Sequence, residues 1–500
     1  MAGTASPQSD LPLGADSPAE DRRAALARCL AVAGAASTVE ITGLTQLRGG
    51  AIQENWAVDA RFSDGPLAGD QRLVLRTAAS TGVAASLSRL EEFAVLKAAF
   101  AAGVMVPEPL FASDDAAAFG RPFFVMRRVN GIAAAHRITR DAALEPAFPA
   151  IAERLAGELA RIHTIRPPNP DLYFLASYAE VGPAQQIAGF RAYLDRHPTP
   201  RPVLEWGIRW LETHIPSPAE PVLCHHDFRT GNYMLDGTEL TGILDWEFAG
   251  WGDPHEDIAW FCCKGWRFAR LDREAGGITN RTSFYRAYES ASGRCIDPRR
   301  VRFWEVLASV RWAVIALQQS DRYMIGGERN LDLALTGRRA TECEFEILML
   351  LDLGRELSAR PSDRRSSASP KGVEPPPMRD LPSGPALLAL ARDVLLDDLM
   401  PLVPQDHRLD ILLIANCMAI AQREAEADGS VQTIVSELEM MYERSEAAPA
   451  LPRRFARDLR IGAFENSEPL DRDARAILWR LTVAKLRQAN PRFLAANGFG

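Results

Sequence analysis

The chain has 500 residues, a formal net charge of -8 and a hydrophobic share of 47%. This length exceeds one ordinary domain, and the apolar content is enough to bury two substantial cores. The acidic balance and the lack of a long basic run in the sequence argue against nucleic acid as the main partner. No stretch approaches the roughly 18 consecutive apolar residues that a membrane-spanning helix needs, so no membrane partner is expected.

The seven cysteines are odd in number and dispersed, and no pair has the spacing of a metal site. This pattern indicates reduced, partly buried thiols rather than a disulfide framework. The first residues lack the apolar core of a secretion signal. Together these features predict a cytoplasmic location.

The amino-terminal third is predicted to begin with a disordered segment and then to form strands. Small and polar residues dominate positions 1–16, and Ser17-Pro18-Ala19-Glu20 has the pattern of a capping box that opens a helix reaching about Val32. Beyond this helix, alternating apolar and polar residues predict strands at 39–47, 56–62 and 72–76, followed by a helix at 86–100.

Two further elements lead toward the middle of the chain. Residues 122–131 are predicted to form a buried strand that ends in a turn, and residues 150–164 carry apolar side chains at helical spacing. His163 lies at the carboxyl end of this helix. It is expected to pack or to cap, because a histidine there interacts favourably with the helix dipole.

The most informative segment is His-His-Asp-Phe-Arg-Thr-Gly-Asn at residues 225–232, followed by Ile-Leu-Asp-Trp-Glu with Asp245 at its centre. Phosphoryl transfer needs a base for the acceptor hydroxyl, Mg²⁺ ligands that neutralise the phosphates, and in-line positioning. Asp227, Asn232 and Asp245 can supply these parts, and their order matches a kinase catalytic loop followed by a second metal-binding Asp. An Asp236-Gly237 turn between two apolar runs predicts a β-hairpin that brings Asn232 and Asp245 together.

Two alternatives to this interpretation remain open. In the first, His225 and Asp227 form a buried hydrogen-bonded pair and Asn232 merely starts a turn. In the second, His225, His226 and His255 bind zinc, although adjacent histidines on an extended segment point to opposite faces and no cysteine spacing supports such a site.

The same residues resemble the signature of the aminoglycoside phosphotransferase and choline kinase-like superfamily, His-Gly-Asp-x-x-x-x-Asn followed by Asp-Trp-Glu. The resemblance implies an α+β, bilobal protein kinase-like fold, with an antiparallel sheet in the amino-terminal lobe and a mostly helical carboxyl-terminal lobe. It implies that Asp227 is the catalytic base and that Asn232 and Asp245 bind Mg²⁺. It also implies that a helix begins near Asp257. His226 stands where the superfamily usually has Gly.

The resemblance further implies a site for ATP or GTP in the amino-terminal lobe. Gly49 and Gly50 would let the backbone approach the phosphates, although a two-glycine turn is equally typical of an ordinary hairpin. The strand at 122–131 resembles the hinge between lobes. The adenine would stack near Met126, and the backbone from Arg127 to Val129 would hydrogen-bond the purine edge.

Arg76 stands where kinases carry the strand lysine that contacts the nucleotide phosphates, and Glu92 is its implied partner. Arg is not an automatic substitute for Lys, because its planar fork contacts phosphate differently. An Arg at this position is familiar in a branch of the superfamily related to the kinase-like domains found with acyl-CoA dehydrogenases. The alternative is a surface Arg that ends an edge strand.

The predicted function is the transfer of the γ-phosphoryl group of a nucleotide to a hydroxyl of a small molecule. Residues 264–322 contain twelve Lys or Arg against six Asp or Glu, in a chain that is acidic overall. In the resembling family, helices of this region help to wall the acceptor pocket, so the basic excess favours an anionic acceptor over a polycationic aminoglycoside. With the dehydrogenase-related branch, this pattern favours a hydroxylated acyl-CoA or another anionic metabolite, whereas a solvated basic face is the plain alternative.

Three other functions were weighed against this one. A nucleotide-binding pseudokinase that regulates a partner protein, and an aminoglycoside or amino-alcohol kinase, remain alternatives. A protein kinase is disfavoured because Trp246-Glu247, rather than Phe-Gly, follows Asp245.

The domain organisation follows from composition. Residues 17–358 are predicted to form the kinase domain, with an amino-terminal lobe to about residue 130 and a carboxyl-terminal lobe from about 131 to 358, and residues 359–384 are predicted to be a linker. Residues 385–500 are predicted to be an all-α domain, with helices that include 430–443, 452–461 and 471–488.

This all-α domain resembles a small helical domain of uncharacterised function that accompanies such kinase-like proteins. Asn416 and Arg423, seven residues apart on one helix face, indicate a structural hydrogen-bond network or a polar interface. A protein bound by this domain is the one macromolecular partner predicted.

Overall fold

The computed structural model describes residues 19–47, 53–78, 86–114, 120–353, 384–427, 430–443, 447 and 450–499. These residues belong to two compact units, Met1–Gly182 with Pro218–Val301, and Pro183–Ser217 with Arg302–Gly500. The segment predicted to be disordered and nearly all of the predicted linker lie outside the described residues. The predicted domain boundaries therefore stay predictions.

The first unit opens with an antiparallel sheet and two helices. In chain order its elements are α1 (Ala19–Ala33), β1 (Val39–Leu47), β2 (Gln53–Phe62), β3 (Gly69–Ala78), α2 (Arg89–Ala101), β4 (Pro109–Ser113) and β5 (Phe123–Arg127). The strand order is β1-β2-β3-β5-β4, so the three strands predicted from alternation are confirmed and β3 is central. One face of the sheet packs against α1, where a buried apolar cluster includes Leu26, Leu30, Val58, Leu73 and Val125.

Helix α2 begins at Arg89, three residues later than predicted, because its start is fixed by a capping box. The Oγ of Ser88 accepts a hydrogen bond from the N–H of Glu91 at 3.3 Å, and the Glu91 carboxylate accepts one from the N–H of Ser88 at 2.8 Å. This reciprocal pair satisfies two of the donors at the helix start. Glu92, the next residue, is buried.

The next elements in chain order are mostly helices, with two short strand pairs between them. They are α3 (Ala135–Arg140), α4 (Phe148–Ile162), α5 (Tyr178–Val181), α6 (Pro183–Arg196), α7 (Pro202–Thr213), β6 (Val222–Cys224), β7 (Tyr233–Asp236), β8 (Glu239–Ile243), β9 (Gly250–Gly252), α8 (Pro254–Cys262), α9 (Arg281–Ser292) and α10 (Pro298–Met324). The predicted helix at 150–164 corresponds to α4 and is confirmed. Of these elements, α6, α7 and the part of α10 from Arg302 onward belong to the second unit.

The predicted hairpin is formed by β7 and β8 around Asp236-Gly237. Tyr233 pairs with Ile243 at its open end. Just beyond this pair, the N–H of Leu244 donates to the carbonyl oxygen of Asn232 at 2.8 Å. The hairpin therefore holds Asn232 and Asp245 at the same end, as the sequence predicted.

The hinge segment is fastened to this hairpin beside Gly131. The N–H of Ile132 donates to the carbonyl oxygen of Leu235 at 2.8 Å, and the N–H of Leu235 donates back at 3.0 Å. Gly131 has a φ of 124°, and a Cβ there would lie 2.2 Å from the Leu235 carbonyl oxygen. Only glycine fits so close an approach.

We expect Gly131→Ala to lower the free energy of unfolding by about 3 kcal/mol, because it adds a backbone clash to a strained φ. Gly237→Ala is the matched control: its φ is also positive, but nothing lies within 4 Å of the added Cβ. Its expected cost is about 1 kcal/mol. Denaturant unfolding followed by circular dichroism measures both variants, and equal losses would contradict the close packing at Gly131.

The second unit is helical throughout its described part. After α10, the elements are α11 (Leu331–Arg338), α12 (Ala340–Leu350), α13 (Gly384–Asp393), α14 (Arg408–Glu426), α15 (Ser430–Met441), α16 (Leu451–Arg460), α17 (Glu468–Ala489) and α18 (Pro491–Ala496). The three helices predicted between residues 430 and 488 are confirmed to within three residues at each end. Within the described residues, no helix combines the length and apolar composition needed to cross a membrane.

Asn416 and Arg423 were predicted to form a structural hydrogen-bond network or a polar interface. Of the two residues, Arg423 has the structural role. Arg423 donates from Nε to the carbonyl oxygen of Gln488 at 2.6 Å and from Nη2 to that of Ala489 at 3.4 Å. Arginine thereby caps the carboxyl end of α17, where helix carbonyls lack partners. Asn416 is exposed and takes no part in this cap.

Candidate active site

The carboxylate of Asp227 is held by donors from three side chains. Trp260 donates from Nε1 to Oδ1 at 2.8 Å. Asn232 donates from Nδ2 to Oδ2 at 2.6 Å and to the Asp227 carbonyl oxygen at 2.9 Å. Arg229 donates from Nε to the two carboxylate oxygens at 3.0 and 3.2 Å. The orientation of the Asp227 side chain, which is 12% exposed, is therefore fixed.

The side chain of Asp257 holds the loop that carries Asp227 by hydrogen bonds to its backbone, a contact called here the clamp. This fully buried carboxylate accepts the backbone N–H groups of His225 and His226 at 2.7 Å each. Helix α8, which carries it, starts at Pro254 after an Asp253 cap, so the predicted start near Asp257 is three residues late. The helix starts earlier because the Asp253 side chain caps it, accepting a hydrogen bond from the N–H of His255.

His163 completes the clamp and packs as predicted. Its Nε2 lies 3.3 Å from an oxygen of Asp257, and its Nδ1 lies 2.7 Å from the hydroxyl of Tyr288. Burial lowers the pKa of His163, which keeps the ring neutral. Burial acts to raise the pKa of Asp257, but the hydrogen bond from His163 and the interactions with the neighbouring histidines together outweigh it, so the pKa of Asp257 is lowered. An ionised carboxylate only accepts, so Nε2 carries the proton and Nδ1 accepts from Tyr288.

We expect Asp257→Asn to lower the free energy of unfolding by about 3 kcal/mol, because its amide group turns a donor toward a backbone donor in a buried site. Phosphoryl transfer should fall with it, since the Asp227 loop loses its clamp. Asp236→Asn, which removes an exposed charge from the hairpin turn, is the control. Thermal unfolding of the two variants measures the difference, and an unchanged melting temperature for Asp257→Asn would count against the clamp.

His226 fits the position of the usual glycine because β9 makes room for it. Its φ is 60°, and its Nδ1 bonds to the carbonyl oxygen of Phe248 at 3.0 Å. A Cβ on Gly252 would lie 2.8 Å from Nε2 of His226, and one on Gly250 would lie 3.3 Å from its Cε1. The Gly-x-Gly sequence of β9 is the signal that explains the substitution.

Of the two alternatives for the histidines, the zinc site is wrong, and the hydrogen-bonded pair is present in part. His225 Nε2 bonds to the carbonyl oxygen of Leu244 at 2.9 Å and His255 Nδ1 to Asp253 at 2.8 Å, so the three histidines of the zinc alternative have separate partners. His225 Nδ1 accepts a hydrogen bond from the N–H of Asp227 at 3.3 Å, so the buried pair of the first alternative is present. Asn232 does more than start a turn, however, because its Nδ2 donates to the Asp227 carboxylate.

A second group of potential metal ligands, His163, Cys224 and Asp257, lies in the described core. Burial raises the pKa of the Cys224 thiol well above its ordinary value, which keeps it protonated. A metal needs the thiolate. Both oxygens of Asp257 also accept hydrogen bonds from the backbone of the Asp227 loop. This cluster is therefore structural.

Arg76 is buried between two carboxylates. Its Nε lies 3.0 Å from Glu92, and its Nη2 forms an ion pair with Asp245. Arg89 shares Glu92 at 2.5 Å. The alternative of a surface Arg on an edge strand is wrong, because β3 is central and Arg76 is only 7% exposed.

Electrostatics within this cluster keep Arg76 and Asp245 charged. Burial acts to lower the pKa of Arg76, but Glu92 and Asp245 outweigh it and hold that pKa above its ordinary value. Burial likewise acts to raise the pKa of Asp245, and Arg76 outweighs it, so the pKa of Asp245 is lowered. Asn232 and Asp245 offer hard oxygen ligands at one end of the hairpin, a donor set that suits Mg²⁺ rather than zinc.

The hinge backbone is partly used by the sheet itself. The N–H of Arg127 donates to the carbonyl oxygen of Glu108 and the N–H of Arg128 to that of Arg72, each at 2.9 Å. Met126 is half-buried. Within the described residues, the N–H of Val129 has no protein acceptor. Gly49 and Gly50, predicted to approach the phosphates, lie outside the described residues.

Trp260, Arg229 and the clamping role of Asp257 were not predicted from the sequence. The sequence contained a signal for Arg229, since a cation two residues from Asp227 must lie near it. Trp260 carried none, because only the packing of α8 against the loop brings its Nε1 to Asp227.

Two family models match the chain. The phosphotransferase enzyme family matches residues 43–304, and a domain of unknown function, DUF6285, matches residues 401–493. Among curated proteins, acyl-CoA dehydrogenase family member 10 of Mus musculus is 32% identical over 200 residues, which cover 39% of this chain and 18% of that protein. Family member 11 of Gallus gallus is 35% identical over 181 residues, which cover 34% of this chain and 22% of that protein. The chain thus matches about a fifth of each of these relatives.

Among solved structures, a Ralstonia eutropha protein assigned as an aminoglycoside phosphotransferase aligns with a TM-score of 0.51 and 21% identity, covering 66% of this chain and 98% of that one. This likeness supports the fold, and it confirms the predicted kinase-like α+β architecture, with a helical carboxyl-terminal region. The family model matches more than half of the residues, including the Asp227 loop and the β7-β8 hairpin. The chain therefore belongs to the phosphotransferase enzyme family.

Proposed function

We propose that this chain is a small-molecule kinase, which transfers the γ-phosphoryl group of ATP or GTP to a hydroxyl of an anionic metabolite. One observation carries the proposal: the Asp227 carboxylate is oriented by Asn232, and Asn232 shares the end of the hairpin with Asp245. Base and metal-ligand candidates thus converge in one place, as phosphoryl transfer requires.

Asp227 is the proposed catalytic base. Trp260 and Asn232 hold its carboxylate, so its remaining acceptor capacity can orient an acceptor hydroxyl. As the hydroxyl oxygen attacks the γ-phosphorus, its proton passes to Asp227, the new P–O bond forms, and the bond to the β-phosphate oxygen breaks to release the nucleoside diphosphate.

Asn232 and Asp245 are the proposed Mg²⁺ ligands, through the amide oxygen and the carboxylate. Bound Mg²⁺ would neutralise charge on the nucleotide phosphates. The fit is supported by Nδ2 of Asn232, which donates twice to Asp227 and so turns the amide oxygen away from that residue. The Asp245 side chain is 29% exposed.

The nucleotide is proposed to contact Arg76, which Glu92 holds in place, and the hinge at Met126, Arg127 and Val129. Among these, the N–H of Val129 is the proposed donor to the purine, because the N–H of Arg127 is already bonded within the sheet. A backbone donor and acceptor do not by themselves select adenine over guanine. Gly49 and Gly50 remain proposed phosphate contacts.

An anionic acceptor, with a hydroxyacyl-CoA as one candidate, is proposed from the basic residues and from the names of the curated relatives. The structure reduces the number of basic residues available to an acceptor, because many arginines of residues 264–300 already form ion pairs with carboxylates. The ion pairs join Arg270 to Asp272, Arg273 to Glu145, Arg281 to Glu274 and Arg300 to Asp253.

A regulatory pseudokinase is the second candidate, and the ion pair between Arg76 and Asp245 favours it, because it engages a proposed metal ligand. The helical carboxyl-terminal domain is the proposed docking site for a protein partner, since Leu402 there is 79% exposed. Leu402→Glu should weaken co-purification of such a partner and leave nucleotide binding unchanged.

The test is Mg²⁺-dependent consumption of ATP and GTP against hydroxyacyl-CoA esters, sugar phosphates, amino alcohols and aminoglycosides. We expect turnover that depends on an anionic acceptor. Faster turnover with aminoglycosides would overturn the acceptor class, and nucleotide binding without turnover on any acceptor would favour the pseudokinase.

A further inference from the structure

Arg229 covers the proposed base. Its Nε–H donates to both carboxylate oxygens of Asp227, which also accept from Trp260 and Asn232. An acceptor hydroxyl needs one of these oxygens as its own hydrogen-bond acceptor. The guanidinium therefore occupies the place from which the hydroxyl must be activated.

The position of Arg229 is built by its surroundings. The guanidinium lies over the ring of Trp266 at 4.5 Å, and that ring packs against Trp260 at 5.4 Å between centroids. A Cβ on Gly231 would lie 2.8 Å from Nη1 of Arg229, so the residue between Thr230 and Asn232 leaves space for the cation. Stacking on an aromatic face suits arginine in particular.

The terminal nitrogens of Arg229 are weakly engaged. Nη1 lies 3.4 Å from the carbonyl oxygen of Thr230, and within the described residues Asp227 is the one carboxylate paired with this side chain. The side chain is 24% exposed. By contrast, Arg273 and Arg300 already form ion pairs with other carboxylates. Arg229 is thus the cation beside the base that retains donors for a ligand.

We propose that Arg229 determines acceptor specificity by binding an oxyanion of the acceptor, either a carboxylate or a phosphate, that lies close to the reacting hydroxyl. The proposal rests on the proposed kinase function and narrows its acceptor class. As the oxyanion takes the guanidinium donors, the contact with Asp227 loosens and a carboxylate oxygen becomes available to the hydroxyl. Three contacts of hydrogen-bond length, from oxyanion to guanidinium, from guanidinium to carboxylate and from carboxylate to hydroxyl, place that oxyanion within about 9 Å of the hydroxyl.

This distance separates acceptor types. A short hydroxy acid or a glycerol phosphate carries its negative group within reach of Arg229. The phosphates of a hydroxyacyl-CoA lie far beyond it, so only the neutral thioester oxygen of such an acceptor would meet the guanidinium. A charge-assisted hydrogen bond is stronger than a neutral one, so the oxyanion-bearing acceptors should be preferred.

The experiment compares matched acceptor pairs on the full-length protein: hydroxybutyrate with hydroxybutyramide, and glycerol phosphate with glycerol, with hydroxybutyryl-CoA as a fifth acceptor. Wild type is expected to favour the anionic member of a pair by about 10- to 100-fold in kcat/KM. Arg229→Gln should remove most of that preference, through loss on the anionic member, and Arg229→Lys should keep part of it. The carboxylate and phosphate pairs distinguish the two oxyanion sources.

Arg286→Gln, which removes an exposed cation from α9, is the control and should keep the wild-type preference. The nucleotide affinity of Arg229→Gln should match that of wild type. A merely structural defect would instead lower turnover on both members of an acceptor pair. An unchanged ratio in Arg229→Gln, or a wild type that prefers hydroxybutyryl-CoA or neutral acceptors, overturns this inference alone. Nucleotide binding with no transfer to any acceptor overturns the kinase function and this inference with it.

Discussion

Asp227→Asn is expected to lower acceptor phosphorylation by about 1,000-fold and to leave nucleotide affinity close to that of wild type. The amide keeps the shape of the carboxylate but cannot take the hydroxyl proton. Its NH2 group also faces a donor of Trp260 or Asn232, so a modest loss of stability is expected beside the loss of transfer. The loss should appear in kcat rather than in the nucleotide dissociation constant. Acceptor-dependent turnover and nucleotide titration on the same preparations separate the two quantities.

Asp236→Asn is the matched control, because it removes the same charge from the exposed turn nine residues away and should change neither quantity. Loss of both turnover and nucleotide affinity in Asp227→Asn, together with a lower melting temperature, would instead assign Asp227 a structural role.

Asp245→Ala is expected to weaken binding of the Mg²⁺–nucleotide complex by about 100-fold. The substitution removes a proposed metal ligand and leaves Arg76 paired with Glu92 alone. Without Mg²⁺, the affinity for free nucleotide should not fall, because Arg76, which Asp245 had engaged, becomes available to the phosphates. Titration of ATP with and without Mg²⁺ measures the effect.

Glu239→Gln, an exposed change on β8 of the same hairpin, is the control and should retain the full Mg²⁺ dependence. If Asp245→Ala binds nucleotide with undiminished Mg²⁺ dependence, Asp245 serves only as the ion-pair partner of Arg76. That outcome would favour the pseudokinase.

The sequence predicted the elements whose information is local. Alternating apolar and polar residues predict strands β1 to β3, and the Asp236-Gly237 turn specifies its hairpin within a few residues. The signature at Asp227, Asn232 and Asp245 is likewise compact. These features depend on neighbours along the chain, so periodicity and turn chemistry were enough to identify them.

The interactions that shape the site depend on tertiary packing and were not predicted. Trp260 reaches Asp227 only because Asp257, on the same helix, clamps the loop from the next turn. Arg76 was paired in advance with Glu92, yet its contact with Asp245 spans 169 residues of chain. No local pattern encodes so distant a partner, and a buried cation takes whichever carboxylates the fold brings to it.

The most direct test of the central claim is phosphorus NMR of the full-length protein with Mg²⁺, ATP or GTP, and the acceptor panel. We expect a new phosphomonoester signal that appears with wild type, depends on the presence of an acceptor from the panel, and is lost in Asp227→Asn. Inorganic phosphate as the sole product, or an acceptor signal that persists in Asp227→Asn, would contradict it.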